Sequence, residues 1–197
     1  MGMISKKLEL ELIARSKAGD GDAIAALIRS HQDALYAFIL KMSQRPEIAE
    51  DIVQEAFVRV LRNIDRFDVR FRFSTWVFTI ARRLYVNAVQ KRRPTYDSEI
   101  IAIREGNHAT PPSETSWNES LENARGVIDI ALSGLNEQQR EIILLFHQQN
   151  WAIMEIANHL QMPEGTVKSH LHRARKRMRR LIESNQKMSR QVQEVIG

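Results

Sequence analysis

The chain of 197 residues carries 29 Lys and Arg against 24 Asp and Glu, a net charge of +5, and is 43% hydrophobic and 27% charged. That is the composition of a soluble globular protein of one domain or two small ones, and it excludes wholesale disorder. With no cysteine, the sequence excludes a disulfide framework, a thiolate zinc site, an iron–sulfur cluster and a cysteine nucleophile.

The longest apolar run, Ala34 to Leu40, is far short of the roughly 20 residues that cross a bilayer. Lys6 and Lys7 followed by Leu8, Glu9, Leu10 and Glu11 cannot form a signal-peptide core. The expectation is a cytoplasmic protein with no membrane insertion.

Eight Gly and five Pro are few enough for a largely helical chain. Leu8 to Ala14 reads as a short first helix. Ala23 to Met42 follows, with Ala26, Leu27, Ile28, Leu35, Phe38 and Ile39 on one stripe. Apolar residues at 48, 52, 53, 56, 57, 60, 61 and 64 mark a third helix, which Pro46 opens well because the first turn needs no proline N–H. Phe73, Trp76, Val77, Ile80, Ala81, Leu84 and Ala88 mark a fourth, ending near Arg93 because the residue before Pro94 avoids the helical region. Residues 1–93 therefore read as one helical bundle.

Composition then shifts. Residues 94 to 123 hold six acids (Asp97, Glu99, Glu105, Glu114, Glu119, Glu122), one base (Arg104), and Pro94, Pro111 and Pro112, which reads as an acidic flexible linker over 94–120. Helical periodicity resumes near Leu121 and runs to Gly134. Asn136 with Gln139 has capping-box spacing and opens a helix through about Phe146. A short helix from Trp151 to Leu160 and a long one from Pro163 to about Glu183 complete a second domain, 121–183, with 184–197 as a tail and frayed helix end. The fold class is all-α, two small helical domains joined by the linker.

The second domain carries the most specific pattern. Val167, Leu171, Ala174, Met178 and Leu181 give its last helix a buried stripe, while Lys168, Arg173, Arg175, Lys176, Arg177, Arg179 and Arg180 place seven bases and no acid between 168 and 180. Thr166, Ser169, His170 and His172 stand near its start. A tight turn between two helices, the second presenting small polar and basic side chains, is helix-turn-helix geometry for the major groove. A solvated helix would mix its charges and gain from opposite-sign pairs four residues apart.

In the first domain, Arg66, Phe67, Arg70, Phe71 and Arg72 mix rings with cations ahead of Phe73, and Arg82, Arg83, Lys91, Arg92 and Arg93 continue the basic character. Rings accept unstacked bases while cations hold phosphates, although Phe73 and Trp76 also sit at core spacing. Glu47, Glu50, Asp51, Gln54 and Glu55 form an acidic side on the third helix. With no histidine, glycine-rich loop or nucleophile beside them, they suit a partner-binding face rather than catalysis. His159, His170 and His172 make no metal set, since 170 and 172 point to different sides of a helix.

Three motifs in order, Asp51-Ile-Val-Gln-Glu-Ala-Phe57, Phe73-Ser-Thr-Trp-Val-Phe-Thr-Ile-Ala-Arg82, and Pro163-Glu-Gly-Thr-Val-Lys-Ser169 followed by His172-Arg-Ala-Arg-Lys176, resemble the extracytoplasmic-function sigma factors of bacterial RNA polymerase over residues 8 to 183. The resemblance implies an alternative sigma factor with no enzymatic activity, no cofactor or metal, and no small-molecule substrate. Its partners would be core RNA polymerase, through the clamp helices and flap tip, promoter DNA and an anti-sigma factor. The first domain would be region 2, with Glu50, Asp51, Gln54 and Glu55 on the clamp. Its melted −10 strand would meet Arg66, Phe67, Asp68, Arg70, Phe71, Arg72, Ser74, Thr75, Trp76, Arg83 and Asn87. The second would be region 4, reading the −35 duplex with Thr166, Lys168, Ser169, His170, His172, Arg173, Lys176 and Arg177. Arg83, Asn87 and Gln90 replace residues common in the family's −10 helix, which bears on sequence preference. Gln161 stands where the family has a turn glycine, and a left-handed residue there costs about 1 kcal/mol. The rival reading is a stand-alone helix-turn-helix regulator, which would need neither the Phe/Arg loop nor the acidic helix.

Overall fold

The computed structural model describes the backbone of residues 5–92 and 126–196 and the side chains of 5–90 and 126–184. The acidic linker 94–120 and the side chains of Lys91, Arg92 and Arg93 lie outside the described residues.

Local chemistry sets each helix. In α1 (Lys6–Lys17) the Ser5 hydroxyl accepts from the Leu8 N–H at 3.3 Å. In α2 (Gly21–Ser43) the Asp20 carboxylate accepts from the N–H groups of Asp22 and Ala23 at 3.0 and 3.2 Å, satisfying donors that have no intrahelical partner. Those bonds and the Arg15 guanidinium hold the Asp20 carboxyl below the usual carboxylate range. Gly19 makes the turn between the two helices at φ 84°, a conformation that costs glycine little. Pro46 starts α3 (Pro46–Arg62), a 3-10 turn follows at Ile64–Arg66, and α4 spans Phe73–Arg92.

The apolar stripes named from the sequence meet in one core, including Leu27, Leu35, Phe38, Ile39, Ala56, Val60, Phe73, Val77 and Phe78. The Lys17 ammonium donates to the Asp65 and Phe67 carbonyls at 3.3 and 3.0 Å, fastening the loop ahead of α4 to α1.

After the linker, α5 spans 126–133 and α6 spans Glu137–Ile143, capped by the Asn136 side chain, which accepts from the Gln139 N–H at 2.8 Å. The expected regular helix through Phe146 is instead widened into a π turn at Leu144–Gln148. Ile142, Ile143, Leu144 and Leu145 are all buried. Four successive residues sweep about 300° of a regular helix, more than one face, and the wider turn accommodates them. Next comes α7 (Ile153–Leu160), where the Glu155 carboxylate accepts from the Ala152 N–H at 2.8 Å. Gln161 is left-handed, at φ 54° and ψ 46°, and the Met162 N–H reaches the Ala157 carbonyl at 3.0 Å.

The last helix, α8, runs Glu164–Ile196, so the expected end near Glu183 and the separate tail 184–197 are corrected. No Gly or Pro stands between Gly165 and Gly197 to stop it. The two helical groups touch. Phe78 of α4 meets Trp151, 2% exposed, with ring centroids 5.8 Å apart.

Candidate nucleic-acid and polymerase interface

The loop 67–72 separates its two aromatic residues. Phe67 is 6% exposed and packs on Phe73 and Trp76 at centroid distances of 5.4 and 5.0 Å. It is a core residue, so its place among the strand-contacting residues is corrected. Phe71 is 66% exposed. Arg70 forks onto Asp68 at 2.6 to 3.0 Å, and that pair holds the Asp68 carboxyl below its ordinary range. It stiffens the turn on which Phe71 stands. Arg66 and Arg72 flank it, both exposed.

Along α4, Ser74, Thr75 and Trp76 are half-buried, while Arg83 and Asn87, one turn apart, are exposed. The Thr75 hydroxyl is buried and has no hydrogen-bond partner among the described residues. On α3, Glu50, Asp51 and Gln54 are exposed and unobstructed. Glu55 differs, because it is tied to Arg59 four residues on at 2.7 Å.

The turn between α7 and α8 presents the basic helix as expected. Lys168, Ser169, His172, Arg173, Lys176 and Arg177 are exposed and Thr166 is half-buried. Ser169 donates back to the Gly165 carbonyl at 2.9 Å. His170 departs from the others. It is half-buried, its Nδ1 has no partner among the described residues, and burial with the neighbouring Arg173 charge lowers its pKa. Less of this residue is open to solvent than of its exposed neighbours Ser169 and His172. Arg175 also turns away, donating to His147 Nε2 at 3.1 and 3.2 Å with its guanidinium 5.2 Å from the Phe146 ring centre.

Sequence reasoning missed a polar cluster between the two groups of helices. Arg82 Nε meets Glu141 Oε1 at 2.5 Å, and the Glu141 side chain is 5% exposed. His159, its side chain fully buried, lies 3.5 Å from the same oxygen and 3.0 Å from the Thr79 hydroxyl. Arg72 pairs with Glu155 at 3.5 Å and Lys41 with Asp129 at 2.8 Å. One signal was available: Glu141 sits one turn before the buried Leu145, on an apolar face where an unpaired carboxylate is costly.

An acidic helix face, an exposed aromatic flanked by arginines and a basic helix-turn-helix, following one another in a single helical chain, define the class of promoter-recognition subunits. Residues 27–95 match sigma-70 region 2 and residues 125–178 match sigma-70 region 4. The chain is 32% identical to the ECF RNA polymerase sigma factor SigW of Bacillus subtilis, over 91% of this chain and 97% of the relative. It is 32% identical to the ECF sigma factor BldN of Streptomyces coelicolor, over 88% and 65%. Among solved structures it is similar to the sigma factor RpoE of Bartonella quintana in complex with the anti-sigma factor NepR, at 25% identity and a TM-score of 0.58, covering 77% of this chain and 91% of that one. The fold is also that of CnrH, solved with the cytosolic domain of CnrY, at 22% identity and a TM-score of 0.65, covering 90% and 98%. The chain belongs to the extracytoplasmic-function sigma factors of the sigma-70 family. It is an alternative sigma factor that directs promoter-specific initiation by core RNA polymerase.

Proposed function

We propose the following division of labour among its residues. Glu50, Asp51 and Gln54, with Glu55 behind them, dock α3 on the polymerase clamp helices through a negative face. Phe71 stacks against a base of the melted −10 strand while Arg66, Arg70 and Arg72 hold its phosphates, and Ser74, Thr75, Trp76, Arg83 and Asn87 continue the track along α4. Thr166, Lys168, Ser169, His172, Arg173, Lys176 and Arg177 read and grip the −35 duplex, and the second domain also meets the flap tip. The chain acts in the cytoplasm through binding, with no bond chemistry of its own. An anti-sigma factor binds it, as NepR binds RpoE in the Bartonella quintana complex.

The observation that carries the reading is Phe71, 66% exposed between two arginines, in the same chain as a basic helix-turn-helix. An exposed ring among cations serves single-stranded nucleic acid, which a duplex-only regulator does not meet. Run-off transcription with purified core polymerase on a genomic promoter pool tests it. Initiation at a defined subset of promoters is expected. A chain that directs none, yet footprints duplex DNA alone, is a stand-alone regulator instead.

A further inference from the structure

Between the buried rings of Phe67 and Phe73, the loop that carries Phe71 has little packing of its own, with Val69 49% and Phe71 66% exposed. Behind them lies a cavity of about 320 Å³, lined on one side by Val69, Phe71 and Arg72 and on the other by Leu10 and Ile13 of α1 and His31 of α2. A segment with space behind it and water in front is not fixed by close packing, so polar ties decide where it points.

Hydrogen bonds make residues 68–71 one unit. The Phe71 N–H donates to the Asp68 carbonyl at 3.1 Å, the Arg70 N–H donates to Asp68 Oδ1 at 2.9 Å, and the Arg70 guanidinium forks onto the same carboxylate. Such a turn swings chiefly about the peptide that joins it to Phe67. The half-buried Lys17 ammonium donates to the carbonyl of that peptide at 3.0 Å and to the Asp65 carbonyl at 3.3 Å. Bonds from an ionised donor hold more firmly than neutral ones. Arg70 first, and the Lys17 charge after it, keep the Asp68 carboxyl below its ordinary range, so the lysine also favours the ionised carboxylate on which the turn is built. The helix behind this grip is itself anchored: Leu12 and Ile13 are buried, and Glu9 Oε1 lies 3.1 Å from Nε2 of His31, whose ring meets Phe73 at a centroid distance of 5.1 Å.

We propose that α1 braces the strand-capturing turn, and that Lys17 is a positioning residue which fixes the direction in which Phe71 is presented to the melted −10 strand. Lys17 stands ahead of residues 27–95, the stretch that matches sigma-70 region 2. It acts through the peptide between Phe67 and Asp68 and not on DNA. A ring held in its bound direction beforehand spares the ordering cost of capture. The proposal rests on the assignment of Phe71 to the −10 strand.

The test uses the full chain in holoenzyme, on a promoter recovered from the run-off pool. Lys17→Met keeps the stem and removes the donors and the charge. Permanganate reactivity of the −10 thymines is expected to fall about fivefold, the factor that follows if the productive direction drops from nearly all molecules to about one in five, with core affinity at the parent value. Lys17→Gln, shorter and uncharged, should lower opening in the same way, and Lys17→Arg, which restores charge and donors, should recover most of it. In a Phe71→Ala chain, Lys17→Met should lower opening by less than about twofold further, because a residue that acts through the ring has nothing left to position. Parent-level opening in both Lys17→Met and Lys17→Gln would overturn the brace. The full loss repeated on top of Phe71→Ala would show a general structural role in its place. If Phe71→Ala by itself opens the promoter as well as the parent chain, the assignment of the ring to the strand fails first, and the brace falls with it.

Discussion

Replacing the two loop aromatics one at a time separates structure from strand capture. Phe67 is 6% exposed and makes two aromatic contacts. Phe67→Ala should therefore lower folding stability by about 3 to 5 kcal/mol, the usual range for a buried phenylalanine, with the lost ring pairs placing it toward the upper end. Phe71, 66% exposed, has most of its ring in water, so Phe71→Ala should change stability by under about 0.5 kcal/mol. Its effect should fall on the melted strand, at about 1 to 3 kcal/mol for one stacked base, roughly 5-fold to 150-fold in open-complex occupancy. Urea denaturation reads the first quantity. Permanganate reactivity of unpaired thymines in the holoenzyme–promoter complex reads the second, and duplex binding by the second domain should stay unchanged. The reasoning fails if Phe71→Ala opens promoters as well as the parent chain, or if Phe67→Ala is as stable as the parent.

Asp51→Arg reverses charge at the centre of the α3 acidic face and should weaken core polymerase binding in a pull-down or polarisation assay while leaving duplex DNA binding intact; equal core affinity would remove the clamp assignment. Arg173→Ala should cost about 1 to 3 kcal/mol in −35 recognition if its guanidinium takes a base bidentately, measured by transcription from −35-dependent templates. Gln161→Gly releases a left-handed, exposed residue at φ 54° and should stabilise the chain by about 0.5 to 1 kcal/mol in urea, strain relief exceeding the added freedom of the unfolded chain; a loss of stability would show that the turn is unstrained. Burial first, and then the Arg175 charge, lower the pKa of His147 from its ordinary 6.5. The folded state thus prefers neutral His147, whose Nε2 accepts from Arg175. Its contribution is present above about pH 6.5 and is lost as pH falls below that toward the depressed native value. Thermal melts at pH 7.5 and 5.5 should show a larger acid loss for the parent chain than for His147→Gln.

Regular helices were legible because a 3-4 apolar spacing both marks a helix and names its buried face. Val167, Leu171 and Ala174 behave as that spacing requires, as do Ala56 and Val60. The loop 67–72 has no period, so nothing in the sequence distinguishes Phe67 from Phe71. Their opposite fates depend on the loop's path, fixed in part by Lys17 donating to the Phe67 carbonyl from 50 residues away. His170 illustrates a limit of position alone: it stands among the exposed polar residues at the start of α8, yet its ring lies half-buried. The π turn follows from packing four consecutive apolar residues, a demand visible as the Ile142–Phe146 run but not its solution. The end of α8 is misplaced by sequence for a different reason, since polarity after Glu183 suggests a tail although no residue there breaks a helix.

The contacts between the two groups were the least legible of all, and the cause is physical. Arg82 and Glu141 are 59 residues apart, separated by the linker, and each looks like an ordinary surface charge in its own helix. Their pairing depends on how α4 meets α6 and α7, where Phe78 packs against Trp151, and not on any local propensity. A buried charge is tolerated only with a partner, so Glu141 on an apolar face does require a cation. Which cation it meets is a tertiary fact. By sequence, Arg82 is one more member of a uniformly basic, DNA-facing cluster. The fold distinguishes it from Arg83, its neighbour in sequence, by turning one toward a carboxylate and leaving the other exposed. The mild net charge of +5 therefore averages over two kinds of base: those that the chain's own acids already hold, and those on α8 such as Arg173, Lys176 and Arg177 that face solvent. Since counterion release scales with the cations that actually reach phosphates, the salt dependence of promoter binding depends on which of these groups is exposed, and total composition does not determine it.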